Sequence, residues 1–350
     1  MTGKRDDGVS DAAEGAFWEV ACDESGSDGE NLTGGNTDVF AHAGVRLPVV
    51  SAAASLREIR DRIRSPAEEY KAGHLLREKH RAVLEWLLAP SGPIHGHARV
   101  HLVEKAFFVV DRVAGLLLGD PAEALALSRE GRRTFGDEDW RGFLAAANRL
   151  LRARSDGTGP GEPAAPVDVF LGTIEALRRA HPGTRAAATL GRLAAARPRA
   201  DAYRARLLEG PPLVPVLNPL LPAIVSTAVL WSDGGRPVRL VHDRQNMLTP
   251  ARIAWIEETA RSRGAALDGL RLVESRLDPR VQLADFLAGI ARRIASDELG
   301  GRGDAVLTGL LRPYVAPASV WGDERSWALL TGSTGAGTAA TARRTGSPAG

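Results

Sequence analysis

Cysteine is almost missing from this chain. Cys22 stands alone among 350 residues, which excludes an intrachain disulfide and a thiolate zinc cluster and fits a reducing, cytoplasmic setting. Lysine is nearly as scarce. Only Lys4, Lys71, Lys79 and Lys105 occur among 45 basic residues, and with abundant alanine this arginine skew points to a GC-rich, bacterial coding source. Aromatics make up 5%, too few for a sugar-stacking platform or a base-stacking groove. The formal net charge is +2, which by itself demands no polyanionic partner. The N-terminus MTGKRDDGVSDAAEG has no apolar core, so no secretory signal is expected. No uninterrupted apolar run is long enough for a bilayer. In 213–231 Pro215, Pro219 and Pro222 break the first half, so the stretch reads as protein core and no membrane partner is expected. Glycine-rich nucleotide loops and a GxSxG nucleophile elbow are missing too. Ser25 and Ser275 therefore do not read as nucleophiles.

What is present is an alternation of short apolar runs and helical patterns. Residues 17–23 and 38–47 read as strands joined by a Gly-rich turn, and 68–76 as a third short strand or a helix start. Residues 75–89 have helical spacing, 98–105 reads as a strand, and 106–118 as a buried helix. Two Arg/Ala-rich stretches, 121–152 and 166–208, read as helical. Strands follow at 237–243 and 270–275. A helix over 249–264 has Thr at its N-cap and Pro at its first position, and a last one covers 279–298. This order predicts an α/β fold with a mixed sheet flanked by helices. One domain is expected over 16–300, carrying a large helical insertion at about 121–210. A C-terminal extension follows over 301–330. Segments 1–15 and 331–350 are rich in small residues and are expected to be disordered, and 154–166 reads as a linker.

Acidic residues end two of the strands and interrupt one apolar helix. Asp23 and Glu24 follow EVAC, Asp243 follows VRLVH, and Asp285 lies in VQLADFLAG with Gln282 one turn before it. A carboxylate inside an apolar helix is costly to bury alone. Carboxylates from strand ends and a facing helix can instead converge on a hard divalent ion, Mg²⁺ or Mn²⁺, which activates water against a phosphodiester. On this reading Asp23, Asp243 and Asp285 hold the metal. Glu24 is a further ligand or a base behind it, and Gln282 orients a ligand or water. Each acid taken alone could equally be a turn residue or an ion-pair partner. The segment DESGSDGE fails as a calcium loop, because Asp28 falls where the turn glycine belongs.

The segments ACDESGS, EYKAGHL, HLVEK, VRLVHD and ESRLDPRVQLADFLAG together resemble the domain-of-unknown-function family 3800, over roughly residues 17–296. Asp23-Glu24 and Gln282-x-x-Asp285 match its two hallmark motifs. The resemblance implies a ribonuclease-H-like, mixed five-stranded sheet, a carboxylate site and nuclease activity on nucleic acid. The insertion has no counterpart in a minimal ribonuclease H. Lys71 and Lys105 fall inside the family-like segments, where an ammonium could steady a phosphate or carboxylate oxygen. Glu104 is a further candidate carboxylate.

Other candidates are more ordinary. His95, His97 and His101 alternate, but no carboxylate or cysteine completes a zinc site, so a solvated strand face is expected. His242 and Cys22 should point away from the neighbouring aspartates and pack. Eight arginines with one acid between Arg178 and Arg206 could form a nucleic-acid face or a solvated helix surface. The competing function is a non-catalytic interaction module whose acidic cluster is structural.

Overall fold

The computed structural model describes residues 17–64, 71–153 and 165–333. The expected disordered ends apart from 331–333, most of the 154–166 linker and the start of the 68–76 segment lie outside them; Thr331 closes the last helix instead of opening a disordered tail. Strands β1 (Trp18–Ser25) and β2 (Val39–Val45) form an antiparallel pair. Helices α1 (Val49–Ile63), α2 (Ala72–Leu75) and α3 (Arg81–Leu88) lead to β3 (Ala98–Glu104). Then come α4 (Lys105–Leu117), α5 (Pro121–Leu151), α6 (Pro166–Ala180), α7 (Arg185–Ala195), α8 (Arg197–Glu209) and α9 (Leu220–Trp231). The chain closes with β4 (Val238–Asp243), α10 (Pro250–Ser262), β5 (Leu267–Val273), α11 (Pro279–Leu299), α12 (Ala305–Leu311) and α13 (Glu324–Thr331). The third leading strand is therefore β3; the described part of 68–76 is the one-turn helix α2, not a strand.

The five strands form one mixed sheet in the order β3-β2-β1-β4-β5. β2 is antiparallel to both neighbours, while β1, β4 and β5 run parallel. Every residue of β2 is buried, because both sheet faces are covered. On one face Val39, Ala41, Ala43 and Val45 meet α1, α3 and α11. On the other, Val20, Cys22, Phe40 and Leu240 join the core of α4, α5, α6 and α9. Burial pushes the Cys22 thiol up, as for an inert packed cysteine. The insertion thus extends one of the two main cores rather than folding apart. The C-terminal extension joins the other through Tyr314, Trp321 and Leu330. It lies along the free edge of β3 through the parallel bridges Val100–Val315 and Val103–Val320.

Helix starts follow their sequence signals. Thr249 accepts the Arg252 N–H ahead of Pro250, and Asp278 accepts the Arg280 N–H ahead of Pro279. Asp278 has a second task. With Glu19 it holds the buried Arg280 guanidinium, tying the start of α11 to the start of β1. Val281 then packs against Ala21, and at the far end Arg292 Nε donates to Ser25 Oγ at 3.0 Å. These three contacts make α11 track β1 along its length. Among the described residues no helix is long and apolar enough to cross a membrane.

Candidate acidic site at the sheet edge

Residues 19, 21, 23 and 25 of β1 share the face that α11 covers, so tracking places Asp285 against Asp23. The parallel register Cys22–His242 sets Asp243 beside Asp23 at the ends of β1 and β4. The electrostatics agree with this placement. The buried Asp23 carboxyl is pushed up to about 9, first by burial, then by the charges of Glu24, Asp285 and, more weakly, Asp243; the Glu24 backbone N–H acts the other way. Asp23 therefore senses the other three acids nominated by the sequence.

Three of the carboxylates are also held. Asp23 Oδ1 accepts the Glu24 N–H at 2.8 Å. Asp243 Oδ1 accepts the Ser275 N–H at 2.9 Å, and Gln282 Nε2 donates to the Ser275 carbonyl at 3.1 Å. Gln282 thus orients Asp243 indirectly, by fixing the 3₁₀ turn Ser275–Leu277. Glu24 departs from the expected ligand role. Its side chain lies on the opposite strand face, where Oε2 accepts from Gln245 Nε2 at 2.8 Å and stands 3.8 Å from His242 Nε2.

The two lysines part company. Lys71 is exposed before α2, which packs so closely on α11 that a Cβ on Gly289 would lie 2.3 Å from that of Ala72. Lys71 therefore precedes the helix that packs on α11 one turn beyond Asp285, and among the described residues it makes no hydrogen bond or ion pair with the acids. Lys105 is buried, and its ammonium is committed to Asp28 and Thr37 in the β1–β2 connection rather than to the four acids. Glu104 Oε2 accepts the Gly322 and Asp323 N–H groups at 2.8 and 3.0 Å, so it anchors the C-terminal extension. Among the described residues no group of three or more His, Cys, Asp or Glu side chains is placed to hold a metal ion as it stands.

Behind Glu24 lies a feature that sequence reasoning missed. His42 and His242, both fully buried, stack at 5.3 Å with Nε2 atoms 3.2 Å apart. For two neutral rings the hydrogen bonds have one direction. The Asp243 carbonyl can only accept, so His242 donates from Nδ1 at 2.9 Å and accepts at Nε2. His42 must then donate from Nε2 and accept at Nδ1 from Thr227 Oγ1 at 3.0 Å. Burial, with His242 and His101 as neighbours, holds His42 well below the usual histidine range. Replacing His42 with Phe strands the Thr227 hydroxyl and His242 Nε2 in the core. The expected loss is about 2–4 kcal/mol in urea denaturation. A second change, Thr227→Val, should return part of it.

The His95, His97 and His101 set does not assemble, and its expected solvated face is not found. His101 is buried opposite His42 in the β2–β3 register, and burial takes it down to about 4. His95 packs edge-on against Tyr314, and His97 is exposed in the preceding turn. The basic segment is also largely accounted for internally. Arg178, Arg179, Arg185, Arg192 and Arg197 pair with Glu175, Glu130, Glu123, Asp168 and Asp201, and Arg199 and Arg204 donate to helix-end carbonyls. These residues clamp the insertion together and do not form a free basic face.

No family model matches the chain, and no curated protein and no solved structure matches it either.

Proposed function

We propose that this protein is a divalent-metal-dependent phosphodiester hydrolase of ribonuclease-H-like architecture that acts on nucleic acid. What supports the reading is that Asp23 and Asp243 end adjacent parallel strands and that Asp23 feels the charge of Asp285 on the helix covering them. Among the described residues the three would have to draw closer to share an ion. The strand order supports the architecture: three antiparallel strands, then two parallel ones. The residues fit a hard cation by donor type and by charge. All three are carboxylates, and the strongest charges acting on Asp23 are other anions.

Asp23, Asp243 and Asp285 would hold Mg²⁺ or Mn²⁺, which when bound supplies Lewis acidity and a more acidic water. The chain's own groups position the rest. Ser275 and Gln282 keep Asp243 aimed, and Lys71, exposed before α2, offers a cation to a substrate phosphate. Glu24, set between Gln245 and His242, can take up a proton behind the strand end. Soaking crystals in Mn²⁺ should place anomalous density between the three aspartates, and labelled DNA or RNA should be cut only with the metal. The absence of both density and cutting would overturn the reading and leave the acids to a structural network in a non-catalytic module.

A further inference from the structure

The helical insertion builds a second feature near the same edge of the sheet. α5 is two helical halves joined at Gly136, whose φ of 80° and ψ of 167° break the helical path. The corner packs toward the start of α13 and the end of α11 around a cleft of about 770 Å³. Arg129, Arg132, Arg133 and Arg141 of α5 and Arg325 of α13 line it.

Its acids are each engaged. Asp137 takes Arg132, and Glu324 takes Arg129. Asp323 caps α13 through Ser326, and Glu104 accepts two backbone N–H groups. Arg133 and Arg141 are tethered through Nε to backbone carbonyls, of Arg129 and Asp137 respectively. This fixes their stems and leaves the terminal amino groups without a hydrogen bond among the described residues. Among the described residues Arg133, Arg141 and Arg325 make no ion pair, and all three are exposed. Three exposed guanidinium groups line one concave surface without a direct ion pair, although Arg141 lies near enough to Asp137 to help hold that carboxyl low. Such groups suit phosphate oxygens.

The position of the cleft gives the ligand a direction. β1 and β3 run the same way, so the cleft, floored by Glu104 at the end of β3, lies at the edge that carries Asp23. α11 links the two places: Asp285 lies at the acidic site and Leu299 lines the cleft. Fourteen residues of helix span about 21 Å, the length of about six stacked nucleotides. The aromatic wall offers no stacking plane. Trp140 is buried between Phe135 and Phe143 and lies on Gly131. Recognition here is of backbone, not bases.

We infer that the Arg133–Arg141–Arg325 cleft binds the phosphate backbone of a single nucleic-acid strand whose continuation reaches the acidic site. The inference rests on the proposed function for the identity of the polyanion. Fluorescence anisotropy with the full chain in EDTA tests it, using a labelled oligothymidylate of about 20 nucleotides. The triple variant Arg133→Ala/Arg141→Ala/Arg325→Ala should weaken binding at least about ten-fold at about 50 mM salt, and should lower the log–log salt slope by about 2. The variant Arg179→Ala/Arg206→Ala, with two exposed arginines elsewhere on the insertion, should bind like the wild type. Unchanged binding by the triple variant overturns the inference, as does an equal loss in the Arg179/Arg206 variant or no binding by the wild type. A duplex that binds more tightly than the single strand overturns it too. The assay reads binding without metal, so a strand that binds but is never cut with Mn²⁺ sinks the proposed activity and leaves the cleft. Metal-dependent cutting with unchanged binding by the triple variant sinks the cleft alone.

Discussion

Asp23→Asn should slow metal-dependent cutting about 10³-fold and at the same time make the metal-free protein more stable. Both effects come from one crowded charge. Asp23 moves from an ordinary value of 3.8 to about 9, mainly through burial and then through Glu24, Asp285 and Asp243. Between these values the folded chain holds a proton that the unfolded chain has released. Metal-free stability therefore falls as pH rises from about 4 to about 9. At pH 8 the penalty is on the order of 6 kcal/mol, and an asparagine, which has nothing to ionise, removes it. A divalent ion acts in the opposite sense, because it stabilises the ionised carboxylates. It should flatten the pH slope and add about 2.7 kcal/mol at a hundred times its Kd. The variant should melt higher than the wild type in EDTA at pH 8 and gain nothing from Mn²⁺. Its cutting rate should fall about 10³-fold, equivalent to about 4 kcal/mol at the transition state. An Asp23→Asn protein that melts lower than the wild type in EDTA would contradict the buried, anion-flanked carboxyl on which the metal reading stands.

How much of this was legible depended on how local each signal is. Asp23, Asp243 and Asp285 could be nominated because strand alternation and helical spacing are read over a few residues, and each acid breaks an apolar pattern. The cap of α10 was equally visible in Thr249-Pro250, and Asp278-Pro279 repeats that pattern at α11. α1 carries no such mark: Pro48 precedes it and no side chain caps it. α9 hid inside a run that Pro219 and Pro222 seemed to break, although both fall at its N-terminus, where proline is tolerated. His42 gave no local sign. Its meaning comes from the register that sets it opposite Glu24 and within reach of His242, 200 positions away. The basic look of 178–206 left two readings open for the same reason. Arg185 and Arg192 meet Glu130 and Glu123, which lie far outside the window in which their charge was counted.

The buried Lys105 carries the second large effect. Burial draws its ammonium below the usual lysine range, and contact with Asp28 opposes this. Asp28 answers in kind: burial works to raise its carboxyl, but hydrogen bonds from Lys105 and Thr37 outweigh it and hold it low. Asp28→Asn leaves a charge inside the protein without its counterion and should cost about 3–5 kcal/mol. Lys105→Met should cost less, because the partly exposed Asp28 can turn toward water while the new side chain fills the space. The double variant should then lie near Lys105→Met alone, far from the sum of the two. The pH dependence has a fixed sign. An ammonium with a lowered folded value is more weakly protonated in the folded chain than in the unfolded one, so stability rises with pH up to about 10.4. Asp28→Asn lowers that value further, so the deficit of this variant should narrow as pH rises through the window. The pair also serves the site. Asp28 and Thr37 sit in the connection that leaves β1 just after Asp23 and Glu24, and Gly26 there is pressed against Val39 and Arg292. Freeing that connection should loosen the strand end that presents the acids. Asp28→Asn should thus weaken Mn²⁺ binding in calorimetry although Asp28 touches none of the three aspartates; unchanged Mn²⁺ affinity together with full stability would show that the pair anchors nothing.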